Sequence, residues 1–97
     1  MQRDQIIKML AENLEEIQNN FHVESLSLFG SVARDQANSE SDLDILVEYS
    51  ITPGLFAYLD LKDYLEKIVG RPVDLVTEKA LKKQLREKIL TEAVRVH

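Results

Sequence analysis

The chain has 97 residues, 44% of them hydrophobic, and its 17 acidic and 12 basic side chains give a formal net charge of −5. This length fits a single domain over residues 1–97, and the acidic balance argues against strong non-specific binding to a nucleic-acid backbone. Cysteine is absent, which excludes disulfides and thiolate metal sites. No apolar run approaches the roughly 18 residues of a membrane span, so we expect a soluble, cytoplasmic protein.

The first part of the chain predicts a helix, a strand and a short helical turn. Apolar residues recur at helical spacing over residues 3–19, which predicts an amphipathic helix. The stripe consists of Ile6, Leu10, Leu14 (or Asn13), Ile17 and Phe21. Polar and apolar residues alternate over residues 24–29, which predicts a strand. Ser31 is a candidate N-cap for a helical turn that reaches Asp35, and the polar residues 37–41 predict a loop.

The middle of the chain predicts a second strand and a long helix. Residues 43–49 alternate between a fully apolar face and a face that begins with acidic residues. Thr52 can cap the helix that follows, with Pro53 in its first position, and Gly70 marks its end. The apolar stripe of this helix is predicted to comprise Leu55, Tyr58, Leu59, Tyr64 or Leu65, and Ile68.

The last part of the chain predicts a third strand at residues 73–77 and a final helix capped by Thr77. Apolar residues repeat every four positions in that helix, at Leu81, Leu85, Ile89 and Ala93. The residues after Val94 are expected to fray.

These elements predict a small α/β (α+β) fold. We expect a three-stranded or slightly larger mixed sheet whose helices lie mainly on one face, while the other face stays partly open. The first two strands are separated by about a dozen residues, so they are either antiparallel through a long loop or parallel through a crossover.

Three aspartates are predicted to meet on the open face. Asp42 and Asp44 stand two positions apart where the second strand begins, so their carboxylates point the same way. Asp74 joins them if the third strand is a neighbour of the second. Clustered carboxylates raise one another's pKa unless a cation neutralises them, and Mg²⁺ favours carboxylate oxygens combined with water and phosphates. Two ions about 3.5–4 Å apart would suit a phosphoryl or nucleotidyl displacement.

Gly30-Ser31 closes the strand that precedes the acidic pair, with ten residues between them. A Gly-Ser at a strand end offers backbone N–H groups and a hydroxyl to an anion. Each of these features alone is common in turns. Their joint occurrence with Asp42-x-Asp44 and Asp74 favours a site for a metal-bound phosphate ester.

The joint pattern resembles the minimal nucleotidyltransferase (MNT) family of the DNA polymerase β-like nucleotidyltransferase superfamily, over almost the whole chain. The segments that carry it are Phe29-Gly30-Ser31-Val32-Ala33-Arg34, Ser41-Asp42-Leu43-Asp44-Ile45-Leu46-Val47 and Val73-Asp74-Leu75-Val76. The resemblance implies a small nucleotidyltransferase core and a prokaryotic antitoxin. It further implies an enzyme that transfers AMP from ATP to a tyrosine of a partner HEPN ribonuclease toxin and thereby silences the toxin.

The resemblance also implies roles for individual residues. Asp42 and Asp44 would hold one or two Mg²⁺ ions, and Asp74 would complete the catalytic site as a further metal ligand or as a base.

The resemblance implies that four other residues take part in nucleotide binding. Gly30 and Ser31 would contact the triphosphate, Arg34 would bind or orient phosphate, and Ser41 would cap the loop. One position departs from the family, which commonly has Gly after the Ala-Arg pair where this chain has Asp35. A side chain there would alter the turn or place a negative charge near the incoming nucleotide.

Two other functions are compatible with the sequence. An antitoxin could neutralise its toxin by binding and occlusion without catalysis, which Asp35, the short chain and the basic, aliphatic last helix favour. Transfer of a nucleotide to an antibiotic or another small molecule is less favoured, because such enzymes usually carry an additional domain. The sequence is compatible with a homo- or hetero-oligomer and selects neither the toxin nor the nucleotide.

Overall fold

The computed structural model describes residues 3–34 and 42–96, and the elements named here are those of this part of the chain. The helices are α1 (Arg3–Glu12), α2 (Leu14–Phe21), α3 (Gly30–Ala33), α4 (Leu55–Val69) and α5 (Lys83–Glu92). The strands are β1 (Val23–Phe29), β2 (Leu43–Tyr49), β3 (Val73–Thr77) and β4 (Val94–Arg95). No helix in these ranges is long and apolar enough to cross a membrane.

The four strands form one mixed sheet in the order β3-β2-β1-β4. β1 is antiparallel to β2 and to β4, whereas β2 and β3 are parallel. The connection between the first two strands, which the sequence left open, is therefore antiparallel. The predicted fold class is confirmed, with one strand more than the three that the sequence shows.

The core lies between one face of the sheet and helices α1, α2 and α4. β2 contributes Leu43, Ile45 and Val47, each fully buried, as the alternation predicts. The fully buried residues that cover them from β1 and the helices are Leu26, Leu28, Ile6, Leu10, Ile17, Leu61 and Leu65. The opposite face of β2 carries Asp44 and Glu48 together with Leu46, which is 4% exposed and lies outside the main core cluster.

The C-terminal residues do not fray as predicted but form the edge strand β4. Val94 pairs with Leu28 of β1, and the N–H of Val96 donates a 2.9 Å hydrogen bond to the carbonyl of Leu26. The side chain of Val96 is 2% exposed and belongs to the core. Burial of this apolar side chain together with ladder hydrogen bonds outweighs the entropy of a free chain end.

The helix predicted over residues 3–19 is two helices, and the prediction of one was wrong. The interruption lies at Asn13, whose N–H donates to the carbonyl of Leu10 and whose amide nitrogen donates to the carbonyl of Met9 over 2.8 Å. Asparagine favours such local side-chain bonds over helix continuation. The second helix then extends to Phe21.

The predicted end of α4 at Gly70 is confirmed, whereas its predicted start at Thr52 is wrong. Gly70 follows the helix in the left-handed conformation with φ 69°, as predicted for its stop. At the other end Gly54 occupies the N-cap position, so Thr52 and Pro53 both precede the helix rather than start it. Since Gly54 is also an acceptable cap residue, the start of the helix shifts by two positions.

The buried face of α4 differs from the predicted stripe in its first turns. Leu61, Leu65 and Val69 are the buried residues, while Leu55 and Leu59 are 68% and 44% exposed. Helical periodicity defines a stripe, but it does not show where along the helix the contacts with other elements begin. The first turns of α4 therefore present apolar side chains to solvent.

The last helix begins later than predicted. Thr77 is followed by a 3₁₀ turn over Glu78–Ala80, and Lys82 is the N-cap of α5. Thr77 makes no side-chain capping hydrogen bond. None of the residues of α5 is buried, and Leu85 is 51% exposed. The four-residue apolar repeat therefore does not mark a core-facing helix.

Leucines on the same helix provide a test of the packing. We expect Leu65→Ala to lower the free energy of unfolding by about 2–5 kcal/mol, because it empties a fully buried site. Leu59→Ala, at a 44% exposed site, should cost less than about 1 kcal/mol. Urea denaturation followed by circular dichroism measures both, and equal losses would contradict the assigned face of α4.

Candidate active site

The parallel pairing of β2 with β3 brings Asp44 and Asp74 side by side. The N–H of Leu43 donates a 2.9 Å hydrogen bond to the carbonyl of Pro72, and in the ladder that follows Asp44 stands opposite Asp74. Residues opposite one another share a face of the sheet, so both carboxyl groups lie on the face away from the core. The structure thus brings together two of the three predicted aspartates by register alone.

This arrangement affects the pKa of Asp44. Burial raises its pKa above the ordinary value of 3.8, and the negative charges of Asp74 and then Asp42 raise it further. A hydrogen bond with the Asp74 carboxyl also favours the protonated form, whereas the positive charge of Arg34 acts in the opposite direction. All three predicted aspartates therefore interact at one point of the sheet.

The chemistry of these groups fits a divalent cation. Within residues 3–34 and 42–96, no three His, Cys, Asp or Glu side chains stand ready as a metal site. Asp44 and Asp74 stand opposite one another in the ladder. Their hard oxygens match the ligands that Mg²⁺ prefers, and a bound cation would relieve the repulsion that raises the pKa of Asp44. The metal-binding role of Asp42, Asp44 and Asp74 stays a prediction.

Gly30 lies directly against the Asp44 carboxyl group. Its φ is +73°, and a Cβ added there would stand 3.0 Å from Cγ of Asp44 and would collide with Oδ2. Both the left-handed backbone and the missing side chain are therefore required at this position. The sequence predicts a triphosphate contact for Gly30, which stays a prediction; the structure adds a contact with a candidate catalytic residue.

Ser31 lies inside the short helix α3 and is not its N-cap, which corrects the prediction. The cap position belongs to Phe29, which has extended backbone dihedrals, and the helix starts at Gly30 itself. The positive φ of Gly30 lets the chain pass from strand to helix without a capping hydroxyl. Ser31 is half-buried at this turn, and its contact with phosphate stays a prediction.

Arg34 stands at the end of α3 and connects to the C-terminal helix. Its Nη1 lies 3.2 Å from Oε2 of Glu92. Arg3, from the start of α1, donates a 3.1 Å hydrogen bond to the carbonyl of Ala33 and tethers the same turn. Sequence reasoning missed Glu92 and Arg3, since neither belongs to a motif and both act across long sequence separations.

Two predicted positions lie outside the described residues. Ser41 was assigned to loop capping and Asp35 was the departure from the family pattern. Both assignments stay predictions.

A cavity of about 410 Å³ lies at the other end of β2 and does not include the aspartates. Its lining includes Glu24, Glu48, Glu78 and Arg86. Glu78 is paired with Arg86 over 3.0 Å. Glu48 lies four residues beyond Asp44 along the strand, a separation of about 13 Å. The predicted site is therefore separate from this cavity.

The comparisons with known proteins agree with the geometry. The family model for the nucleotidyltransferase domain matches residues 7–97. The chain is 36% identical over 93 residues to the protein adenylyltransferase MntA of Thermococcus cleftensis, with 96% of this chain and 94% of that protein covered.

Solved structures share the fold. A minimal nucleotidyltransferase, 34% identical, superposes with a TM-score of 0.82 and is covered over 97% of this chain and 95% of its own. A toxin–antitoxin complex with AMP-PNP contains a chain that is 25% identical, with a TM-score of 0.71. That match covers all of this chain (100%) and 73% of the other.

Two glycines with the same backbone conformation give a matched test of the site. We expect Gly30→Ala to cost about 1–3 kcal/mol in unfolding free energy and to abolish binding of Mg²⁺·ATP, because the new Cβ displaces Asp44. Gly70→Ala carries the same strain at φ +69°, but nothing lies within 4 Å of its Cβ. The Gly70→Ala variant should therefore lose stability but keep its affinity for Mg²⁺·ATP. Urea denaturation and isothermal titration calorimetry separate the two effects, and equal loss of binding would contradict the role of Gly30.

The raised pKa of Asp44 predicts a pH dependence of stability. Because the folded state holds this proton more tightly than the unfolded state, stability falls as the pH rises above about 3.8 toward the raised value. Asp74→Asn removes the largest charge contribution, so the pKa of Asp44 should drop and the fall should become shallower. Thermal unfolding of the wild type and the variant between pH 4 and 7, without divalent cations, measures how stability changes with pH. The exposed Asp60→Asn is the control, and a parallel change in both variants would argue against the pairing.

Proposed function

The chain belongs to the nucleotidyltransferase domain family and is a nucleotidyltransferase of the minimal (MNT) type, and on that premise we propose that it is an antitoxin enzyme. In this proposal it transfers AMP from ATP, with Mg²⁺, to a tyrosine of a partner HEPN ribonuclease toxin. The observation that carries the proposal is the placement of Asp44 opposite Asp74 on the open face, with the Gly30 backbone against Asp44.

The carboxylates divide the chemistry among them. Asp42 and Asp44 would hold Mg²⁺, which when bound neutralises phosphate charge and relieves the repulsion at Asp44. The tyrosine hydroxyl oxygen forms a bond to the α-phosphorus of ATP, the bond to pyrophosphate breaks, and AMP stays on the tyrosine. The hydroxyl proton needs an acceptor, and the exposed Asp74 is the candidate if it acts as a base rather than as a further metal ligand.

Phosphate recognition would come from the turn that follows β1. The Gly30 backbone lies against Asp44, Ser31 follows it in α3, and Arg34 contributes positive charge that acts on Asp44.

The relatives support this proposal at the level of the whole chain. The Thermococcus cleftensis protein is named a protein adenylyltransferase, which is the proposed activity. The toxin–antitoxin structure was obtained with AMP-PNP, an analogue of ATP, which supports ATP as the nucleotide and a toxin as the partner.

A second candidate is a non-catalytic antitoxin that binds and occludes its toxin. The observation that favours it is an exposed apolar surface at the start of α4. Its members are Ile51 (60% exposed), Leu55 (68%), Phe56 (81%) and Leu59 (44%). Monomeric proteins seldom leave clustered large apolar side chains in water without a binding role.

Adenylyl transfer can be tested with a HEPN toxin as the proposed acceptor protein. We expect incubation of both proteins with ATP and Mg²⁺ to add AMP to a toxin tyrosine, detected by intact-protein and peptide mass spectrometry. Asp42→Asn and Asp44→Asn should lower the yield at least about a hundredfold, since each removes a carboxylate at the reacting centre. Asp60→Asn should leave it unchanged.

The same variants separate the two candidate functions. An Asp44→Asn chain that protects cells from the toxin as well as the wild type does would support occlusion and contradict the need for catalysis. Failure of the wild type to form any adduct, or an undiminished adduct with Asp44→Asn, would overturn the adenylyltransferase proposal.

A further inference from the structure

The pairing of β4 with β1 places Glu92 beside Arg34, at the end of α3. The strand is antiparallel to β1, with Val94 opposite Leu28. Beyond this pair both segments leave the ladder for helices. Gly30, two residues after Leu28, begins α3, and Glu92, two residues before Val94, ends α5.

The backbone around Glu92 is held on both sides. The N–H of Ala93 donates a 2.9 Å hydrogen bond to the carbonyl of Ile89, which closes α5. Two residues beyond Val94, Val96 is buried and bonded to β1. Glu92 is thus fixed between a helix end and a strand, rather than carried on a free terminus.

The side chain of Glu92 contacts the one arginine of the phosphate-binding segment 29–34. Oε2 of Glu92 lies 3.2 Å from Nη1 of Arg34, and the two side chains are 33% and 44% exposed. The positive charge of Arg34 also lowers the pKa of Asp44, so Arg34 acts electrostatically on the candidate site. A long arginine side chain loses considerable rotamer entropy when it is held in one place.

We propose that Glu92 is a positioning residue that holds the Arg34 guanidinium toward the phosphates of the bound nucleotide. The proposal rests on the function proposed above, in which Arg34 binds phosphate. Glu92 engages Nη1 through one carboxylate oxygen, and because the guanidinium is planar and rigid, this contact restricts the orientation of the whole group. Glu92 thereby orients the Arg34 side chain before the nucleotide binds, which lowers the entropic cost of phosphate binding.

A double-mutant cycle on the affinity for Mg²⁺·AMP-PNP tests this, measured by isothermal titration calorimetry on the full chain. We expect Glu92→Ala to weaken binding about two- to fivefold, the range of an exposed ion pair. Arg34→Ala should weaken it about tenfold or more, since it removes a charged donor. The double variant should match Arg34→Ala, because without the guanidinium Glu92 has nothing to position.

The controls separate positioning from a structural or general charge effect. Glu87→Ala removes the same charge from an exposed site on α5 and should leave affinity unchanged. Glu92→Gln keeps an acceptor and should recover part of the loss. Unfolding midpoints of all variants are compared, since a purely structural Glu92 would weaken binding equally with and without Arg34. That additive result would overturn the inference.

The outcome is distinguishable from failure of the proposed function. Adduct formation on the toxin by the wild-type chain is measured in parallel. A wild type that forms the adduct while the cycle is additive overturns the positioning role alone. A wild type that forms no adduct but shows the coupled cycle overturns the proposed transfer and supports the positioning role. Absence of AMP-PNP binding by the wild type overturns both.

Discussion

The juxtaposition of Asp44 and Asp74 is the constraint on which the arrangement of the site depends. Two carboxyl groups opposite one another on neighbouring strands repel, and the pKa of Asp44 is raised first by burial and then by this repulsion. A parallel pair of strands cannot be joined by a tight turn, so α4 must cross over between β2 and β3. The longest described helix thus serves to place two acids side by side.

The opposite face of the same strand offsets this unfavourable contact. Leu43 and Ile45 flank Asp44 in β2 and are both fully buried. Each contributes about 1.5–3 kcal/mol by leaving water, more than the repulsion between partly exposed carboxyls costs after solvent screening. Strand alternation therefore lets one segment stabilise the fold and carry an acidic site whose charge favours a cation.

Local signals were sufficient to predict the parts of the site that lie within a strand or a turn. The bounds of β2 and β3 follow from the alternation of side chains. The end of α4 at Gly70 follows from the left-handed backbone that glycine readily adopts after a helix. The contact between Gly30 and Asp44, the pairing of Val94 with Leu28 and the ion pair of Glu92 join residues far apart in sequence. No single-sequence pattern encodes them, because they arise from register and packing.

The edge strand β4 shows why the undetected contacts matter for function. A two-residue strand has little propensity of its own, yet its pairing with β1 buries Val96 and at the same time sets Glu92 beside Arg34. The same hydrogen bonds that close the edge of the sheet thus fix the position of Glu92 beside the turn that we propose binds phosphate. Disruption of β4 would remove a core side chain and the ion pair of Arg34 with Glu92 together, so on this proposal stability and nucleotide affinity are coupled through β4.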